Sequence, residues 1–230
     1  MPSQGPPWYP ASGVKVIACA AVMEEIRTHL RPDTECHVLD FGLHADPSSL
    51  RRVLQEAVDS VAASADTILL GYGLCSMAVV GLRARDATLV VPRVDDCIAI
   101  CLGSQEAYKA QFKNEPGTYY LTRGWIEVGD SPFSEHEWLV KAFGREKAQR
   151  VMGRILRNYT RLAFIDTGNG GTERYREYSR RMAKRFGLRY AEILGSDRLI
   201  RKMLTGPLDH EFVIASPGET ITYLDFKRAG

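Results

Sequence analysis

No apolar run in this sequence approaches the roughly 18 residues that suggest a membrane span. The opening MPSQGPPWYPASG lacks a charged segment followed by an apolar one, so no export signal is expected and the location expected is the cytoplasm. Charge of one sign is also scarce. With 30 lysines and arginines against 28 aspartates and glutamates, the net charge is +2, too little for a dedicated nucleic-acid binder, which needs a concentrated basic surface. Cysteines are few and odd in number, five in all, which speaks for free thiols or metal ligands and against a disulfide framework. None follows Cys101, so the last third cannot supply the second thiol that a two-cysteine racemase places in its second lobe. The glycine-rich turn Asp166-Thr167-Gly168-Asn169-Gly170-Gly171-Thr172 has neither the lysine nor the spacing of a phosphate-binding Walker loop. Its glycines still allow backbone amides to approach an anion at the following helix.

What is present is an ordinary globular composition, 45% apolar and 25% charged over 230 residues, enough for one large or two small domains. Two short apolar runs, Thr67 to Leu70 and Thr88 to Val91, are bounded by glycine, proline or charge and read as buried parallel strands. Each leads to a cysteine-bearing turn, Gly71-Tyr72-Gly73-Leu74-Cys75-Ser76 and Pro92-Arg93-Val94-Asp95-Asp96-Cys97. Val14 to Ala18 reads as the first strand, closed by Cys19. In an open α/β sheet, ligands bind beyond the carboxyl ends of the strands. Three thiols therefore stand where chemistry is expected.

The remaining pattern is α/β throughout. Residues 1–13, rich in proline, glycine and serine, form an expected mobile lead-in. Met23 to Leu30 reads as a short helix with Glu24 and Glu25 in its first turn, where a carboxylate favours the helix dipole or reaches a metal. Glu35 to Leu39 is a second strand, and Ala45-Asp46-Pro47-Ser48 starts an amphipathic helix carrying Leu50, Val53, Leu54, Ala57, Val58 and Val61. After Asp95 or Asp96 as N-cap, a helix carries Cys97 in its first turn, which favours thiolate character. Cys101 and Cys36 read as small hydrophobes. Thr118 to Thr122 is a strand, and Arg123-Gly124-Trp125 is expected to turn away. Ser131 to Leu156 holds one or two helices, followed by strands at 162–165, 188–194 and 211–215, with helices between them. The basic residues between Arg145 and Arg185 fall opposite the apolar helical positions and read as a solvated face. The expected fold is α/β with two Rossmann-like lobes, mostly parallel sheets and a helical connection. The first lobe is placed at 14–130 and the helical connection with the second lobe at 131–230, the two being expected as separate lobes or as one compact unit.

These segments resemble, over nearly the whole chain, the bacterial and archaeal family catalogued as domain of unknown function 1638. The residues that carry the resemblance are Val16-Ile17-Ala18-Cys19, Leu43-His44 with Pro47 and Leu50, Leu70-Gly71-Tyr72-Gly73-Leu74-Cys75, and Val91-Pro92-Arg93 with Asp96-Cys97. Leu102-Gly103-Ser104, Pro116-Gly117-Thr118-Tyr119-Tyr120, Gly124-Trp125-Ile126-Glu127 and Ile165-Asp166-Thr167-Gly168 continue it. Where the family carries His-Asp-Cys, this chain has Asp95-Asp96-Cys97, so a histidine ligand or base at 95 is missing. The resemblance implies an association with corrinoid-dependent methyltransferases and hence with one-carbon metabolism. The corrinoid-binding signature Asp-x-His-x-x-Gly is absent, and the chain is not expected to carry cobalamin.

Three functional classes follow. With a strand order 2-1-3-4, Cys19, Cys75 and Cys97 lie on neighbouring tips about 4.8 Å apart, where they would bind zinc or an iron–sulfur cluster with one open position. Arg93 and Asp96 would then orient the substrate, and Tyr72, Gly73, Ser104, Tyr119 and Trp125 would line its pocket. The expected function is methyl transfer linked to a thiol or to a corrinoid partner, on a small-molecule substrate, without nucleic acid or membrane. The second class is metal-free chemistry, with Cys75 or Cys97 as nucleophile, Arg93 as anion clamp, Asp96 as orienting carboxylate, and His44 or His210 as base. The third is an accessory protein that binds a ligand or a methyltransferase without catalysis.

Overall fold

The computed structural model describes residues 13–128 and 131–227, so the expected lead-in lies, apart from Gly13, outside the described residues. The chain opens with β1 (Val14–Cys19), which passes directly into α1 (Ala20–Ile26). β2 (Glu35–Leu39) leads through a 3-10 turn at Phe41–Ala45 into α2 (Pro47–Ala62). β3 (Thr67–Gly71), β4 (Thr88–Pro92), α3 (Cys97–Leu102) and α4 (Gln105–Asn114) complete the first half. The second begins with β5 (Thr118–Leu121), α5 (Arg123–Val128), α6 (Pro132–Phe143) and α7 (Arg145–Ile155). It ends with β6 (Arg161–Asp166), α8 (Glu173–Arg185), β7 (Arg189–Leu194), α9 (Arg198–Thr205), β8 (Phe212–Ala215) and α10 (Tyr223–Lys227).

Local chemistry explains most of these boundaries. The Asp46 side chain accepts the Ser48 N–H at 3.0 Å and Pro47 opens α2, a pairing of N-cap and proline that suits the first turn of a helix. Leu50, Leu54, Val58 and Val61 then bury one stripe of that helix, and β3 is buried on both faces, as a central parallel strand must be. Arg123-Gly124-Trp125 does not turn away but begins α5. The Trp125 N–H reaches the Thr122 hydroxyl at 3.4 Å, a start signal one residue ahead of the stretch that the glycine marks.

Two sheets result. The larger has the order β2-β1-β3-β4-β8, parallel except for β8, which runs antiparallel to β4. The smaller is β5-β6-β7, all parallel. The fold is thus α/β with two lobes and mostly parallel strands, and the first four strands take the order 2-1-3-4. Sheet membership crosses residue 130: β5 belongs with β6, and β8 returns to the first sheet. The carboxyl ends of both sheets meet along a seam where α5 packs on α1 and the Ser196 N–H donates to the Cys101 carbonyl at 3.0 Å. Among the described residues no helix is long and apolar enough to cross a membrane.

The return strand is held by charge as well as by its ladder. Ahead of β8, Glu211 accepts from Arg198 Nη1 at 2.8 Å and from Lys202 Nζ at 2.6 Å, and these cations bring its carboxyl from the ordinary 4.5 down to about 2. A carboxyl that titrates lower when folded contributes stability above its unfolded pKa and loses it as pH falls through the folded one. Glu211→Gln is therefore expected to be less stable than the parent at pH 6. The gap between their urea midpoints should close between about pH 4.5 and pH 2; a gap that does not change with pH would contradict the assignment.

Candidate functional site

Cys19 ends β1, Cys75 lies in the loop after β3, and Cys97 opens α3 after β4. All three are free thiols and all are buried. Register places Ala18 opposite Gly71, so Cys19 and Tyr72 stand at the same height on neighbouring strands. The loops that carry the other two thiols are laced together: the Leu74 N–H donates to the Val94 carbonyl at 2.8 Å and the Cys75 N–H to the Asp95 carbonyl at 2.9 Å. A side chain at Gly73 would meet the Val94 carbonyl oxygen at 2.7 Å and the Asp96 nitrogen at 2.9 Å, so only glycine permits this approach. Cys75, Ser76 and Met77 have φ of 45°, 55° and 73°. Three consecutive non-glycine residues in the left-handed region cost about 1–3 kcal/mol each, and such strain gathers at functional sites.

Burial and mutual repulsion keep these thiols protonated. Burial raises Cys75 to about 12, with Cys19 adding to the rise, while the N–H groups of Gly73 and Cys97 oppose it. Cys19 rises to about 11 through burial, and the N–H groups of Ala21 and Val22 face its sulfur and lower it in part. Cys97 is pushed well up by burial, then by Cys75 and Cys19. The three sulfurs thus lie within electrostatic reach of one another. Among the described residues, no group of three or more His, Cys, Asp or Glu side chains is placed so that it could hold a metal ion as the structure stands.

Tyr72 is wholly buried, and its hydroxyl has no hydrogen-bond partner. Burial pushes its pKa well up, and all three thiols add to the rise. Beside it, His44 stacks on Phe41 at 4.9 Å and on Tyr72 at 6.1 Å, and Trp125 meets Phe41 edge-on at 6.1 Å. His44 Nδ1 is 2.9 Å from the Phe41 carbonyl, so Nδ1 bears a proton and donates it there; Nε2 is buried and has no partner. The other base considered, His210, has its side chain 66% exposed, with Asp209 3.7 Å away.

The remaining expected site residues divide by location. Asp96 caps α3, its Oδ1 accepting from Ile98 at 2.9 Å and Ala99 at 3.4 Å, and its Oδ2 takes the Tyr108 hydroxyl at 3.0 Å. Ser104 caps α4 through Ala107 at 3.0 Å. Arg93 faces the β8 side, donating to the Phe212 carbonyl at 3.1 Å, and lines a charged cleft of about 510 Å³ with Leu74, Asp95, Lys109 and Lys227. Tyr119 packs against Phe133 and Tyr159 at 5.0 and 5.2 Å. Alternation along a strand turns its neighbour Tyr120 the other way, where burial raises its pKa, Arg161 and Thr118 lower it, and Asp96 adds a small further rise.

Glu25 was expected in a first helical turn. Because β1 passes into α1 with no intervening loop, the helix starts at Ala20 and Glu25 faces the seam. It is wholly buried, and its Oε2 accepts from the Thr167 hydroxyl and from Asn169 Nδ2, both at 2.6 Å. This tie between the lobes has no signal in the sequence, since its partners lie more than 140 residues away.

Two sheets whose carboxyl ends face one another, with thiols on three tips of the larger, define a two-lobed α/β protein with a buried cysteine site. The chain belongs to the family described as protein of unknown function (DUF1638), whose model matches residues 38–204. That span holds Tyr72, Cys75 and Cys97, with Cys19 ahead of it. No curated protein matches the sequence.

Proposed function

We propose that Cys19, Cys75 and Cys97 together hold one soft metal centre, zinc or an iron–sulfur cluster, and that the protein serves one-carbon or methyl-transfer metabolism. The observation that carries this reading is the Tyr72 hydroxyl, wholly buried and unpartnered within reach of three buried thiols. A buried polar group without a partner costs free energy, and three crowded thiols cannot lose their protons unless a cation takes the protons' place. Backbone N–H groups facing Cys19 and Cys75 are the outer-shell support that metal thiolates draw on. The sulfurs must close in on the ion, and the loop at Cys75, with Ser76 and Met77 exposed, would have to shift against its hydrogen bonds to Val94 and Asp95. Zinc held by thiolates lowers the pKa of a bound substrate thiol while leaving it nucleophilic.

In this reading Asp96 positions Cys97 by capping α3. Arg93 lends positive charge to the neighbouring cleft, and Tyr72 with Trp125 shapes the pocket. A metal-free thiolate nucleophile is disfavoured by the raised pKa values of all three thiols. The test is elemental analysis with an absorption spectrum on protein prepared without oxygen and without an affinity metal. About one zinc per chain and no colour is the expected result. Brown protein with iron supports the cluster form. Folded protein that stays metal-free after incubation with zinc or with iron and sulfide overturns the reading.

A further inference from the structure

On the second lobe, α6, α7 and the end of α8 enclose two adjoining cavities of about 460 and 550 Å³ that share Glu137 and Arg185. Neither contains a residue of the cysteine site. The first is bounded by His136, Val140, Lys141, Arg145 and Phe186. The second has Ile126, Phe133, Tyr178 and Met182 along an apolar wall, with Ser134, Glu137, Arg181 and Arg185 completing it.

Charge is distributed unevenly around α8. Arg174, Arg176 and Arg180 are paired with Glu127, Asp166, Glu173 and Glu192. Among the described residues, Lys141, Arg145, Arg181 and Arg185 take no carboxylate partner; Arg185 lies over the Phe186 ring instead, 5.8 Å from its centroid. Solvation of a helix face accounts for single exposed cations, but not for a histidine beneath them. His136 is only 7% exposed, stands edge-on to Phe186 at 5.2 Å, and presents Nδ1 with no hydrogen-bond partner. Burial and then Arg185 lower its pKa, with Glu137 opposing them, and Nδ1 is left needing a hydrogen-bond partner.

We infer that this groove binds an organic phosphate monoester, its phosphate between His136, Lys141, Arg145 and Arg185 and its apolar or aromatic body against Phe133 and Met182. Three cations against the single carboxylate of Glu137 match a dianion better than a monocarboxylate. Arginine provides the forked donors that phosphate oxygens accept. A phosphate oxygen also gives His136 Nδ1 the partner it lacks. The two cavities fall in the usual size range of ligand pockets, about 300–1,000 Å³.

The probes are phenyl phosphate and inorganic phosphate, titrated into the full chain by calorimetry. Phenyl phosphate should bind saturably and at least about tenfold more tightly than inorganic phosphate, a difference of about 1.4 kcal/mol. Lys141→Gln and Arg185→Gln, both at exposed positions, should each weaken it about tenfold or more. Arg174→Gln, on the paired face, should leave it unchanged. The ¹⁵N resonance of His136 Nδ1 should shift on addition of phenyl phosphate. Absence of saturable binding, equal affinity for the two probes, or binding that survives Arg185→Gln would each overturn the proposal.

Discussion

Cys97→Ser is expected to lower zinc affinity about a hundredfold or more, because even the loss of an outer-shell partner costs about 10–100-fold and this change removes a proposed ligand. Cys19→Ser and Cys75→Ser should do the same. Cys36→Ser and Cys101→Ser should bind zinc as the parent does: Cys36 lies on β2, its thiol donating to the Thr34 carbonyl at 3.5 Å, and Cys101 lies a full turn into α3. The measurement is competition against a chromophoric chelator, followed by cobalt substitution, in which thiolate ligands give intense near-ultraviolet bands. The pH dependence has a definite sign. Cys75 titrates at about 12 and Cys19 at about 11, so an ion binding near neutrality must displace protons. Affinity should rise with pH, by about tenfold per unit for each proton released. Equal zinc binding by all five variants would end the metal assignment.

Gly124→Ala should lower stability by about 3 kcal/mol, at the upper end of what overpacking a tight contact costs. A Cβ at this position would lie 2.1 Å from the Ala21 carbonyl oxygen and 3.0 Å from its carbon. These are backbone atoms of α1, which no rotamer change can move. Relief requires α5 to lift from α1, and that contact is a principal junction between the lobes. For a chain of this size the loss corresponds to a fall in Tm of about 6–12 °C. Gly153→Ala is the control: it lies within α7 with nothing inside 4 Å of the added carbon. There the change should stabilise by about 0.5–1 kcal/mol. Equal melting temperatures for Gly124→Ala and the parent would show that the seam tolerates separation.

Much of this architecture was legible in the residues themselves. Asp46-Pro47 announces α2, Asp96 announces α3, and the apolar runs at Thr67 and Thr88 bound β3 and β4 to within a residue. The positions of Cys19, Cys75 and Cys97 at strand ends could be read from the same punctuation. What the pattern could not convey depends on distant partners. Nothing in Phe212–Ala215 says which sheet it will join, and Thr118–Leu121 is equally silent about pairing with β6. The alternation that turns Tyr119 into an aromatic cluster and Tyr120 to the opposite face could be anticipated only once the side facing the first lobe was known. The Phe41 carbonyl that holds the His44 ring lies in a 3-10 turn that leaves no periodic trace. Three left-handed residues at Cys75–Met77 carry no glycine to announce them.

The antiparallel pairing of β8 with β4 has a consequence for how the protein is made. During synthesis, β1 to β4 emerge well before β8, and the backbone donors and acceptors along one side of β4 have no partner until residue 215 has left the ribosome. An open edge of this kind is a template for pairing with another chain. The nascent first lobe therefore passes through a period in which its completion competes with association, and that period lasts as long as translation of the entire second lobe.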